Sequence, residues 1–215
     1  LASAVRLAHS TITGNPAAQA NTRLAFGGGL SSYGATAELD HTILAGNTSL
    51  SGLGPDLYGP AAVAYTLLDT DSDAWLTIVG GGNQIGTAAS PIDSLLRPLA
   101  NNGGPTSTHA LAVNSPAVDQ GDAALATPPD FDQRGFPYQR VVGAAIDLGA
   151  YELQVEPADA NNDLLVTGGD FLLWQRGFGI ETNATRSDGD ADGDGDVDQL
   201  DLLAWEATFG VGVAP

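Results

Sequence analysis

Two stretches of this chain repeat each other closely enough to dictate how it can fold. "VRLAHSTITGN" (5–15) and "AELDHTILAGN" (37–47) align when Gly14-Asn15 is set on Gly46-Asn47, and "AVAYTLLDTD" (62–71) joins them. Leu7, Leu39 and Val63 then share one slot, His9, His41 and Tyr65 the next but one, and Thr11, Ile43 and Leu67 a third. A slot at every second residue is the period of a strand, because successive strand side chains point to opposite faces. The offsets are unequal, 39 − 7 = 32 and 63 − 39 = 24, which fits stacked coils with a loop inserted after Asn15. "GGGL" (27–30) and "GPDLY" (54–58) would begin the first strand of the next coil.

Strands that recur every few tens of residues, with Gly-Asn corners and no helical stretch between them, predict a right-handed parallel β-helix over residues 1–90. Each coil of such a fold buries its inward side chains only by stacking on a neighbour. The competing expectation, an antiparallel sandwich, also has glycine-rich turns but does not require slot-by-slot alignment.

"LRPLANNGGPTSTHALAVNSPAVDQGD" (96–122) and "DFDQRGFPYQRVVGAAIDLGAYE" (130–152) resemble the C-terminal block of large secreted bacterial β-helix proteins of the choice-of-anchor Q type. With the coils included, the resemblance spans residues 20 to 153. It implies the end of a β-helix on an exported or cell-surface protein, followed by a variable attachment device, and it brings no enzymatic activity with it. An open coil end exposes backbone donors and apolar rows, so residues 91–153 are expected to cap it. Within that cap Asn101 to Pro105 read as a tight turn, and Asp119, Asp132, Arg134, Asp147 and Glu152 as ion pairs centred on Arg134. A catalytic role for these acids or for His109 is disfavoured, since no nucleophile with a base at a fixed spacing is recognisable.

Charge separates the rest. Residues 1–155 hold 13 acids and 5 arginines, whereas residues 156–215 hold 13 acids and 2 arginines, and the chain has no lysine. A net charge of −19 disfavours nucleic acid and anionic membrane surfaces as partners and favours divalent cations. No apolar run reaches the length of a membrane span. Without cysteine the redox compartment cannot be read from disulfide pairing. A chain without an initiating methionine, whose first residues already read as a strand, is expected to be the C-terminal part of a larger precursor. "QVEPADA" (154–160) supplies the junction, with residues 154–158 as linker.

Beyond the linker lies "DADGDGDVDQLD" (190–201). Like charges so crowded repel one another unless a cation sits among them. Counting from Asp190 as slot one, Asp192, Asp194, Asp196, Asp198 and Asp201 fall at slots three, five, seven, nine and twelve, with Gly195 sixth and Val197 eighth. That is the spacing of an EF-hand calcium loop: oxygens at alternate positions wrap the ion, glycine permits the sharp turn, and the apolar eighth residue points inward. Asp196 would offer its backbone carbonyl and Asp198 would bind directly or through water. Asp201 stands where glutamate is usual, so the loop must draw closer to its shorter side chain. Leu202, Leu203, Trp205 and Phe209 are expected to form one stripe on a following helix.

A second copy lies 201 − 170 = 31 residues upstream, where "DANNDLLVTGGDFLLWQRGFG" (159–179) aligns with residues 190–210. Its ligands would be Asp159, Asn161, Asp163, the carbonyl of Leu165, Thr167 through water, and Asp170. Leu164 occupies the glycine slot, so this loop is expected to bind more weakly. The pair resembles a type I dockerin over residues 158–210. That resemblance implies two loop-helix repeats (paired F-hands) packed in opposed orientation, an all-α module built by two Ca2+ ions, and a cohesin-like partner. Trp and Phe side chains would form the shared core. Gly168-Gly169 and Gln199-Leu200 stand where paired Ser/Thr residues are usual in that family. The bland reading of the tail, an acidic solvating segment, explains neither the duplication nor the tryptophans.

The reading as a whole is a mainly β chain with a small helical module at residues 159–215, acting as a noncatalytic, secreted or cell-surface scaffold that attaches through calcium. The alternative is the end of a polysaccharide-degrading enzyme whose active site lies upstream. Asp69, Asp71 and Asp73 are the one candidate carboxylate cluster for that alternative, and they read more naturally as a corner. His9, His41 and Tyr65 read as a stacked ladder and not as a metal site.

Overall fold

The computed structural model describes residues 4–18, 26–71, 73–124, 128–142, 145–154, 156–163 and 165–210. The chain forms two compact units, Leu1–Leu153 and Gln154–Pro215.

The first unit is mainly β. Its strands are β1 (Ala4–Ala8), β2 (Thr11–Thr13), β3 (Pro16–Ala17), β4 (Leu30–Ser31), β5 (Thr36–Ala45), β6 (Thr48–Ser49), β7 (Leu57–Leu68), β8 (Ala74–Ile78) and β9 (Gln84–Ile85). All pairings between these strands are parallel: β1 and β2 on β5, β3 on β6, β4 on β7, β5 on β7, and β7 on β8 and β9. The antiparallel sandwich is thereby excluded for these residues. The register sets Leu7 beside Leu39 and Leu39 beside Val63, and Thr11 beside Ile43 and Ile43 beside Leu67, the residues assigned to common slots from the sequence. Leu30 likewise faces Leu57.

Alternation determines what is buried. Along β7, Leu57, Gly59, Ala61 and Val63 are buried while the residues between them are not. With Ala37, Leu39, Leu44 and Leu68 these side chains make one apolar core, flanked by Leu7, Ile12, Leu30, Ala74, Leu76 and Ile85. Because so many positions are alanine, each layer contributes little area and cohesion depends on layers stacking.

The corners repeat as well. His9, His41 and Tyr65 all adopt positive φ, at 47°, 47° and 45°. Their rings stack, His9 on His41 at 5.1 Å and His41 on Tyr65 at 4.7 Å, so stacking helps to hold a conformation that costs free energy for residues other than glycine. One turn later Asn47 Oδ1 accepts the Asn15 N–H, and Asn47 Nδ2 donates to the carbonyl of Ile12 and to Asp56.

After β9 regular structure gives way to isolated bridges, and side chains do the work of a ladder. Asp122, Gly149 and Ala150 fasten onto three neighbouring strands: Ala150 N–H donates to Thr11 Oγ1, Gly149 N–H to the His41 carbonyl, and Tyr65 OH to Asp122. These contacts run along the sheet and not only at its last strand. Gly149 makes this approach possible, since its φ is 94° and a Cβ there would lie 2.6 Å from Thr11 Oγ1 and 2.8 Å from Ile43 Cδ1. Gly149→Ala is expected to destabilise the first unit by about 1–3 kcal/mol through overpacking and backbone strain. A calorimetric melt of the variant against the parent checks this; an unchanged midpoint would remove Gly149 from the account.

Arg134 is held as the sequence suggested, but it does not gather all the acids. Its guanidinium makes a two-toothed pair with Asp132 (Nε to Oδ1 at 3.2 Å, Nη2 to Oδ2 at 2.7 Å), donates to the Glu152 carbonyl, and lies between the rings of Tyr138 (3.9 Å) and Tyr151 (3.8 Å). Asp147 and Glu152 instead surround Arg140, whose burial the sequence did not announce. Asn101 does cap the expected turn, accepting from Gly103 N–H.

The second unit contains two short helices, α1 (Gly168–Gly177) and α2 (Gln199–Thr208), and a 3-10 turn at Arg186–Asp188. None of the described helices is long and apolar enough to cross a membrane.

Candidate metal centre

Each helix starts from the end of an acidic loop, and the two starts are built alike. Thr167 and Asp198 are the N-caps, with Asp170 and Asp201 three residues on returning a bond to the cap backbone. The capping box satisfies helix N–H groups that have no partner within the helix.

The resemblance continues back through the loops at slots three, five, nine and twelve. At slot three, Asn161 and Asp192 accept the N–H of slot five, from Asp163 and Asp194. At slot five, Asp163 and Asp194 accept the N–H of slot seven, from Leu165 and Asp196. At slot nine, Thr167 and Asp198 accept from Gly169 and Leu200. The slot-twelve carboxylates close the ring. Asp170 takes the N–H of Asn161 and Thr167, and Asp201 those of Asp192 and Asp198 as well as Ala191. Asp159 accepts from Asp163, while Asp190 accepts from Gly193 and Gly195. The chain thus curls around a line of oxygens twice, with the same residues turned inward. Slot four has positive φ in both, at Asn162 (56°) and Gly193 (78°), and Gly195 at slot six has φ of 91°. Leu164, the first loop's residue at slot six, lies outside the described residues.

The slot-eight residues Val166 and Val197 are buried, at 0% and 1% exposure, and they knit the repeats together reciprocally. Gly179 N–H donates to the Val197 carbonyl and Gly210 N–H to that of Val166. Trp174 Nε1–H reaches the Asp198 carbonyl and Trp205 Nε1–H that of Thr167, both at 2.8 Å. Sequence comparison had aligned Trp174 with Trp205 and Gly179 with Gly210 without showing that each serves the opposite loop.

Two expectations need correction. The predicted stripe on α2 is not a buried face, because Leu203 is 51% and Phe209 58% exposed, and Phe209 sits beyond the helix as its C-cap. A ten-residue helix against one short neighbour has too little partner surface to cover four large side chains. The rings of Phe171, Trp174, Trp205, Phe178 and Phe209 do touch, at 4.9–5.4 Å. The fully buried interior, however, is small and unusual: Ala158, Ala160, Val166, Val197 and the carboxylates of Asp159, Asp170, Asp190 and Asp201.

Asp170, Asp190 and Asp201 have no arginine or histidine within ion-pair distance among the described residues. Burying charged carboxylates on N–H bonds alone is costly, and a cation among them removes that cost. The second loop also gathers acids tightly enough to share one: single oxygens of Asp190, Asp192 and Asp194 lie within 4.8 Å of one another, as do those of Asp196, Asp198 and Asp201. Asp196, for which the slot pattern gave only a carbonyl role, turns its carboxylate into that second group. Its Oδ1 is shut off from solvent with no hydrogen-bond partner. Desolvation first, then Asp194 and Asp198, push the Asp196 carboxyl above the usual carboxylate range; Asp192 is raised by desolvation and the neighbouring acids. The residues therefore fit a divalent cation in the second loop. The first loop presents the same bonds with three carboxylates where the second has six.

The other sequence candidates have structural work. Asp69 accepts Gly46 N–H and Asp73 accepts Gly54 N–H across corners. His109 bonds the Arg97 carbonyl. A cleft of about 490 Å³ beside His9, Phe131 and Gln133 includes Asp132, which is already committed to Arg134. His9 there is held near pKa 4 by burial and by Arg140, so its imidazole is neutral. No protein-family model, curated protein or solved structure matches this chain.

Proposed function

We propose that residues 159–210 are a dockerin-like module that binds two calcium ions, and that it attaches a noncatalytic, exported or cell-surface scaffold to a protein partner. The observation that carries this reading is the twofold loop: the same bonds at slots three, five, seven, nine and twelve, around the buried carboxylates of Asp170, Asp190 and Asp201, which have no cationic neighbour among the described residues. Asp190, Asp192, Asp194, Asp198 and Asp201, with an oxygen of Asp196, would hold the first ion. Asp159, Asn161, Asp163, Thr167 and Asp170, with the Leu165 carbonyl, would hold the second. Oxygen donors of this number and charge favour calcium over a softer metal. Exposed Leu172, Leu200 and Leu203 on the helices favour a protein as partner, of cohesin-like or other surface type.

For the first unit we read the parallel register, with its offsets of 32 and 24 residues, as coils of a right-handed β-helix closed by residues 91–153.

Titration calorimetry with calcium is the test. Two binding events are expected, the tighter one lost in Asp190→Ala and both lost in excess chelator. Because the ligands must be deprotonated, affinity should weaken as the solution is acidified. Undiminished calcium binding by Asp190→Ala would show that the ligand assignment is wrong.

A further inference from the structure

Around Arg134 and Arg140 the buried charges do not balance. Asp132, Asp147 and Glu152 are 7%, 2% and 1% exposed, and Arg134 and Arg140 are 4% and 1% exposed. Asp132 and Arg134 neutralise each other through their paired bonds. That leaves two carboxylates, Asp147 and Glu152, facing one guanidinium.

Arg140 does not spend its hydrogen bonds on either carboxylate. Its Nη2 donates to His9 Nδ1, to the Asp147 carbonyl and to the Gly149 carbonyl, all neutral acceptors. Its Nη1 stands 3.9 Å from Glu152 Oε2, close enough for attraction but too long for a hydrogen bond. The carboxylates are tied to backbone instead. Glu152 Oε2 accepts Asp147 N–H at 2.9 Å, and Asp147 accepts Asp119 N–H at 2.9 Å and Leu153 N–H at 2.6 Å. Among the described residues the remaining titratable groups that face this cluster add no positive charge, since His9 is neutral and Asp119 is another acid.

We propose that the folded chain carries one bound proton on the Asp147–Glu152 pair, held chiefly by Glu152, and that its release in alkaline solution loosens segment 145–153 from the strands beneath. Two negative charges against one positive in a space closed to water is an arrangement that a single proton corrects. Segment 145–153 is where the correction matters, because its bonds to Thr11 and His41 anchor the outer chain to the strands. Burial, reinforced by Asp147, raises the Glu152 carboxyl from 4.5 to about 8, and burial raises Asp147 from 3.8 to about 6. Both folded values lie above the unfolded ones, so the fold binds more protons than the unfolded chain between these limits. The associated stability is complete at the acid end and is lost as pH rises through about 8.

The experiment is hydrogen exchange on the full chain in saturating calcium, corrected for intrinsic rates, following the peptide that spans residues 145–153. Protection in the parent is expected to fall from about pH 6 to about pH 9, while Glu152→Gln, which is neutral throughout, keeps it across the range. Flat protection in the parent overturns the proposal. So does a Glu152→Gln variant whose protection drops equally at all pH, the mark of an ionised Glu152 paired with Arg140. A fall that persists in Glu152→Gln places the proton elsewhere and likewise overturns it. Should the variant fail to fold, the infrared band of a protonated carboxyl in glutamate-labelled parent decides: present at the lower pH and lost at the higher one, or never present, in which case no proton is held.

Discussion

Arg134→Ala is expected to cost the first unit about 3–5 kcal/mol, the range for breaking one partner out of a buried ion pair. Asp132 would be left closed off from water, still accepting the N–H of Glu152 and of residue 134 but without its counter-charge. The Glu152 carbonyl would lose a donor at 2.6 Å, and Tyr138 and Tyr151 would lose the cation between their rings. Against a domain stability of about 5–15 kcal/mol that is a large share, and it corresponds to a drop of about 10 °C in midpoint for a unit of this size. Arg134→Lys should recover only part, because an ammonium cannot make the two parallel bonds or lie flat between two rings. Calorimetry in saturating calcium measures both variants. A loss below about 1 kcal/mol for alanine would place the pair among those worth no more than a surface contact.

The second large effect concerns the other unit. Chelation should melt residues 159–210 while the first unit keeps its transition, seen as loss of helical circular dichroism and of the Trp174 and Trp205 fluorescence environment. The buried apolar side chains are few and small, so under the proposed function a bound ion would supply cohesion that a hydrophobic core supplies elsewhere. At a calcium concentration one hundred times the dissociation constant, mass action adds about 2.7 kcal/mol per site. Asp201→Ala should be the most damaging substitution here. It removes a ligand, leaves the N–H groups of Ala191, Asp192 and Asp198 without their acceptor, and opens the capping box of α2. Each stranded donor costs about 1–3 kcal/mol where it stays buried, and the cap about 1 kcal/mol. If Asp201→Ala bound calcium and melted like the parent, residue 201 would not be the closing ligand of the loop.

What could be read in advance was whatever the chain states periodically. The slots holding Leu7, Leu39 and Val63 repeat by a rule of two, with a Gly-Asn corner after the first two, and their pairing followed. The strand β8 pairs with β7 at 74 − 59 = 15 residues, an offset unlike the 32 and 24 of the other coils, so the repeat passes over it. The acidic loops were legible because ion geometry fixes their spacing from within twelve residues. Arg140 was not, since its partners lie 7, 9 and 131 residues away and share no repeat. Asp196 shows the finer limit: slot counting names which residue falls at seven, but backbone direction decides whether its carbonyl or its carboxylate turns inward.

The exchanged indole bonds carry one more consequence. Since Trp174 completes the loop that begins at Asp190, and Trp205 completes the one that begins at Asp159, neither half is a smaller working version of the whole. Excising one copy would not halve the capacity of the tail but would strand an indole and a carbonyl in what survives. The two repeats are thus one structural unit, each supplying a bond that the other's loop uses.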